Sequence, residues 1–218
     1  MKRLLGLLLS SVFVFAVGGC SNAVSSESSV VCTAVESSIT SESESETEAS
    51  SVNLTEETTV GSDTLVVYFS ATGTTEGVAL RIAEITEADI YEITATDPYT
   101  DEDRDWTNDD SRCSMEQNDP SVRPLISSEE ISLEGYTTIY LGYPIWFGQE
   151  PRIMDTFVES YNFDGITVIP FCTSGSSDIG QSGQALADNA GSGTWLEGRR
   201  FSADVSDDEI SAWIEELS

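Results

Sequence analysis

The sequence predicts an α/β fold over residues 63–218, a doubly wound five-stranded parallel sheet with helices on both faces. Three observations predict it. Short β-prone apolar runs alternate with segments whose apolar residues recur at helical spacing, the pattern of repeated strand–helix units. The first run, Thr64-Leu65-Val66-Val67-Tyr68-Phe69, is β-prone and continuously apolar after Thr64, as expected for a strand buried on both faces. Three runs end in loops of small, hydroxyl or aromatic residues, and open parallel sheets hold ligands beyond the carboxyl ends of their strands.

Taken in order, the first strand leads into a helix over 76–87, where Val78, Ile82 and Ile85 share a face. Residues 89–94 form a second short strand through Ile90, Tyr91 and Ile93. The stretch 95–135 is polar and rich in Asp and Pro, with room for one helix over 109–118. It reads as a long excursion between the second and third strands, a lid or a cover for one face. The third strand is 137–142, around Ile139-Tyr140-Leu141. A helix over 151–161 opens on Pro151, a residue that fits the first turn because it has no N–H to satisfy. The fourth strand is 166–172, with Val168-Ile169-Pro170-Phe171 at its centre. A helix over 181–189 ends before Gly191, and 195–201 supplies the candidate fifth strand. The closing helix, 206–217, starts with Ser206 and Glu209 spaced as a capping box.

The remainder of the chain does not follow this pattern. Hydrophobic residues are 39% of 218, below the usual apolar share, so part of the chain is not expected to pack. Lys2-Arg3 and the apolar run Leu4 to Val17 read as a signal peptide over 1–19. The run is shorter than the roughly 20 residues of a membrane span. Val17-Gly18-Gly19-Cys20 resembles a bacterial lipobox, in which cleavage precedes a cysteine whose thiol is lipidated. That would anchor the protein at Cys20 on the outer face of the cell membrane; an ordinary secretory signal with an incidental cysteine is the alternative. Residues 21–60 hold 18 Ser/Thr and eight Glu, with no Lys or Arg. A segment so polar cannot offset its chain entropy by burial, so 20–62 reads as a disordered tether.

Charge excludes several chemistries. Acidic residues number 39 against nine basic, Lys2 is the only lysine, and histidine is absent. No His-based triad, His metal site, Schiff-base lysine or P-loop lysine can form. A nucleic-acid partner is disfavoured because phosphates would be repelled. An anion must be held by backbone amides, hydroxyls or one of seven arginines beyond residue 3. No C-x-x-C is present; a Cys113–Cys172 disulfide and two unpaired thiols both remain open.

The first strand ends in Ser70-Ala71-Thr72-Gly73-Thr74-Thr75, directly before a helix. Helix N-termini present free amides and a positive dipole end, so they bind phosphate without a cation. The third strand runs into Tyr143-Pro144-Ile145-Trp146-Phe147-Gly148, with three aromatic residues. A flat apolar ring could stack there, with Trp146 the leading candidate. The fourth strand ends in a small polar loop, Thr173-Ser174-Gly175-Ser176-Ser177-Asp178, able to bring backbone amides against the edge of such a ring.

With these motifs in this order, residues 63–218 resemble the flavodoxin family, and the segment around Arg123-Pro124 resembles one branch of it. The resemblance implies strand order 2-1-3-4-5 and flavin mononucleotide (FMN) at the switch point between the first and third strands, as the general rule for this fold states. It maps the phosphate loop onto Ser70, Thr72, Gly73, Thr74 and Thr75. It maps ring contacts onto Pro144, Ile145, Trp146 and Phe147, and a third loop onto Thr173, Ser174 and Gly175. Ala71 departs from the family, where a basic or polar residue often precedes the threonine; the amides of the loop are unaffected. The implied function is electron transfer, with an FMN-dependent quinone or nitro-compound reductase using NAD(P)H, or a surface lipoprotein without flavin, as alternatives. The acidity of the chain implies a redox partner with a basic docking surface.

Overall fold

The computed structural model describes residues 61–217. The signal peptide, Cys20 and all but the end of the expected tether lie outside the described residues. Eleven elements follow in the order β1 (Thr64–Tyr68), α1 (Thr74–Thr86), β2 (Asp89–Glu92), α2 (Arg112–Asn118), β3 (Thr138–Pro144), α3 (Arg152–Ser160), β4 (Thr167–Thr173), α4 (Ser182–Ala190), β5 (Thr194–Trp195), β6 (Arg199–Phe201) and α5 (Asp207–Glu216). The sheet runs β2-β1-β3-β4-β5, with β6 also paired to β4, and every strand pairing is parallel. The switch in strand order falls between β1 and β3, as the family resemblance implies.

Strand alternation sorts the apolar residues into two cores. Leu65, Val67, Phe69, Ile139, Leu141, Tyr143, Val168 and Cys172 face one side, packed by Ile153, Met154, Phe157 and Val158 of α3 and Leu186 of α4. Val66, Tyr68, Tyr140, Ile169 and Phe171 face the other, under Val78, Ala79 and Ile82 of α1 and Ile210 and Trp213 of α5. Uninterrupted apolar runs therefore serve both faces at once, the physical reason such runs signal a parallel sheet.

The expected fifth strand, 195–201, is two short strands. Alternate residues of β4 turn their backbone groups toward this edge: Leu196 N donates to Val168 O (2.9 Å) and Ser174 N to Phe201 O (3.4 Å). Pro170 stands in phase with Val168 and Ser174 but has no N–H, so the ladder lapses beside it. Gly198 fills the lapse. A Cβ there would lie 2.7 Å from Pro170 O and 2.4 Å from the Ile179 side chain.

The excursion between β2 and β3 lies over the face covered by α3. It leaves β2 and returns alongside it, through an antiparallel bridge between Ala95 and Ile126. Tyr99, Ile126, Ile131, Leu133 and Tyr136 pack against the α3-side core. Its helix, α2, is shorter than the expected 109–118 because Ser111 caps it, accepting from Ser114 N. At the other end of the domain Ser206 caps α5 through Glu209 N. The Glu209 carboxylate lies 3.8 Å from Arg199.

Candidate functional site

The loop after β1 turns on Gly73, whose left-handed conformation (φ 81°) starts α1 at Thr74. No side chain caps this helix, so its first-turn amides remain open to an anion. Thr72 and Thr74 place their hydroxyls 3.3 Å apart at the exposed rim. Ser70 Oγ is buried and has no hydrogen-bond partner. The Thr75 hydroxyl is also buried, but it bonds Thr173 Oγ1 at 2.8 Å, so it links the first and third loops. Burial, with Glu92 and Glu76 beside it, pushes the Tyr68 phenol up to about 12.

The aromatic loop closes in a tight hairpin turn. Trp146 and Gln149 exchange backbone hydrogen bonds at 2.9 Å in both directions, and the two central residues, Phe147 (φ 52°) and Gly148 (φ 78°), are both left-handed. That is the geometry of a type I′ turn, and it strains a bulky residue such as Phe147. Phe147 is half-exposed and lines the pocket. Trp146 is half-buried, edge-on to Phe69 (5.8 Å) and to Tyr99 (4.9 Å). Pro144, Ile145, Trp146 and Phe147 meet Ala71 and Thr72 around one pocket of about 220 Å³. The first and second loops are thus brought together.

The third loop does not line that pocket. Arg200 binds the main-chain oxygens of Ser174 (2.7 Å) and Gly175 (3.0 Å), which fixes the loop through its carbonyls. Gly175 is exposed, with open space where a Cβ would stand. Thr173 is buried and joins the site through Thr75.

The far wall of the pocket was missed in the sequence. It comes from the excursion: Arg104, Trp106 and Cys113, with Tyr99 behind them against Trp146. Trp106 is 73% exposed, and an isolated Trp in a polar, Asp-rich stretch was the available signal. Tyr99 is held on both sides, its hydroxyl on Glu116 Oε2 (2.7 Å) and its ring 3.9 Å below the Arg112 guanidinium. Burial and Glu116 raise its pKa. Cys113 and Cys172 are free and buried; burial pushes the Cys172 thiol up to about 12, which leaves it an unreactive core residue.

Glu150 and Arg152 lie behind the aromatic loop and are almost fully buried. Burial pushes Glu150 up to about 7, Asp155 adds to the rise, and Arg152 opposes it. Among the described residues no cluster of potential metal ligands is present.

No curated protein sequence matches the chain. Among solved structures, a protein assigned as a flavoprotein from Bacteroides uniformis ATCC 8492 is 44% identical, aligned over 71% of this chain and 99% of its own, with a TM-score of 0.68. A second, from Bacteroides eggerthii DSM 20697, is 42% identical over 71% and 96% of the two chains, with a TM-score of 0.66. A flavoprotein from Lactobacillus acidophilus NCFM, crystallised in complex with FMN, shares the fold at 23% identity over 69% and 97%, with a TM-score of 0.52. The flavodoxin family profile matches residues 63–217, the whole sheet and all three loops, and the chain belongs to the flavodoxin family.

Proposed function

We propose that this domain binds FMN and acts as an electron-transfer protein, held outside the cell membrane by a lipid on Cys20. The observation that carries the reading is the pocket in which Ala71 and Thr72, beside the uncapped start of α1, face Pro144, Ile145, Trp146 and Phe147. Family membership and a protein of the same fold crystallised with FMN support it.

The residues present fit the cofactor. Ser70 Oγ is a buried hydroxyl lacking a partner, and α1 offers first-turn amides that no side chain occupies. Those amides, with the hydroxyls of Ser70, Thr72 and Thr74, would hold the phosphate without a cation. They must do so against the carboxylate of Glu76 in the same turn. Trp146, Ile145 and Phe147 would cover the ring, excluding water from one side of it. Bound FMN would supply one- and two-electron chemistry; the protein supplies the pocket and sets the potential. The surplus of acidic residues lowers the affinity for added electrons, an effect that salt screens. A basic partner surface would dock by the same field.

Purified protein titrated with FMN tests the reading. A yellow complex with quenched flavin fluorescence is expected. Thr74→Ala should weaken affinity about ten- to a hundredfold, consistent with one lost hydrogen bond to a charged group of roughly 1.5–3 kcal/mol. Thr75→Ala should instead lower the melting temperature of the free protein, because its hydroxyl serves Thr173. A colourless protein with no heat of binding in excess FMN would sink the proposal. For the anchor, cells fed a labelled fatty acid should label the wild-type chain and not Cys20→Ala.

A further inference from the structure

One buried polar cluster, unused in the proposed function, ties together the two walls of the pocket. Arg152 donates to Glu116 O (3.4 Å), Gln117 O (3.2 Å) and Gln149 Oε1 (3.1 Å), and it faces Glu150 Oε1 (3.5 Å) and Asp155 Oδ2 (3.3 Å). It therefore fastens the last turn of α2 to the end of the aromatic loop. Gln117 Nε2 repeats the link by donating to Glu150 O at 3.0 Å. From α2 the contacts continue to the pocket: Glu116 binds Tyr99, whose ring meets Trp146.

The two carboxylates on Arg152 are not equally supplied. Asp155 also accepts from Asn189 of α4 at 2.8 Å and lies 4.0 Å from Arg123. Glu150 is 2% exposed, and its Oε2 has no hydrogen-bond partner. Gln117 Oε1, in the same cluster, also lacks one. An ionised Glu150 would be a second buried negative charge on one arginine, with an oxygen unsatisfied. A neutral Glu150 removes the surplus charge and gains an O–H to donate.

We propose that Glu150 is a proton-linked positioning residue: while its carboxyl is neutral, the cluster clamps α2 to the aromatic loop and keeps the FMN pocket formed, and its ionisation loosens the clamp and weakens flavin binding. Burial places this ionisation near neutral pH. The charged and titratable groups around it are Arg152 and Asp155 of α3, with Arg123 of the excursion behind Asp155 and Tyr143 of β3. Gln117 of α2 is its uncharged neighbour. The Tyr143 phenol is raised by burial and stays neutral throughout this range. The contacts are continuous from Glu150 to Trp146, and coupling along them is what experiment must establish.

The binding arm of the test rests on the FMN reading; the structural arm does not. Near-ultraviolet circular dichroism of the free protein, from pH 5.5 to 8.5, reads the packing of its aromatic side chains, Tyr99 and Trp146 among them. A change with a midpoint near pH 7 is expected in the wild type and not in Glu150→Gln. Riboflavin is the binding probe, because the FMN phosphate itself titrates near pH 6. Its Kd should rise about three- to tenfold from pH 6 to pH 8 in the wild type and stay level in the variant, within the one-proton limit of tenfold per pH unit. Identical profiles in the two proteins would overturn the proposal. So would a wild-type spectrum that does not change with pH, whether or not the variant folds. If neither flavin binds at any pH while the spectral change appears and depends on Glu150, the clamp is supported and the cofactor reading fails.

Discussion

Gly142 shows how closely single residues are fixed in this sheet. It pairs with Phe171 across the β3–β4 ladder, and the Phe171 ring lies where its side chain would be. A Cβ at this position would come within 2.2 Å of that ring. Neither strand can withdraw, since both are held along their length by the ladder. Gly142→Ala should therefore cost about 1–3 kcal/mol through overpacking, measured as a drop in denaturation midpoint. Phe171→Leu in the same chain should return part of that loss, because the two sites share one volume. A Gly142→Ala protein as stable as wild type would show that the ring moves aside freely. Thr75 carries a related lesson: a hydroxyl in the loop before α1 is spent on Thr173, and only the fold reveals that partner.

At the scale of elements, β4 sets the form of its neighbours. Pro170 removes one donor from the ladder, and the strand beside it divides into β5 and β6 around Gly198. The sequence contained both residues, yet their juxtaposition depends on which strand lies next to which. Helix α5 is pinned at its start by Ser206, whose hydroxyl accepts from Glu209 N, and at its core face by Ile210 and Trp213. Ser206→Ala should lower stability by roughly 1 kcal/mol, the usual cost of a lost N-cap. Thermal unfolding is the measurement, and an unchanged midpoint would mean that the packing of Trp213 alone holds the helix. Helix α2, at seven residues, is too short to persist by propensity. It exists because Ser111 caps one end and Arg152 gathers the carbonyls at the other.

For the whole molecule, a formal net charge of −30 dominates behaviour in solution. Self-repulsion disfavours the compact state and is screened by salt. The melting temperature should rise as sodium chloride increases from 10 to 200 mM, and a flat response would show that the acidic groups are already compensated in the fold. Much of this protein was legible in its sequence. The apolar runs Thr64 to Phe69 and Ile139 to Leu141 announced buried strands, because burial on both faces leaves no room for polar residues. Gly73 and its hydroxyl neighbours announced a tight turn into a helix, and α1 does start at Thr74 with Gly73 left-handed and no side-chain cap. Composition and spacing therefore determined the fold class, the order of elements and two loops that meet around one pocket, all of which depend on neighbours near in sequence. The tertiary structure decided the rest. It set Arg104 and Trp106 into the pocket that Trp146 lines, packed Tyr99 against Trp146, divided the fifth strand at Pro170, and buried Glu150 beside Arg152. Those features join residues that are distant along the chain, and no local periodicity encodes which of them will meet.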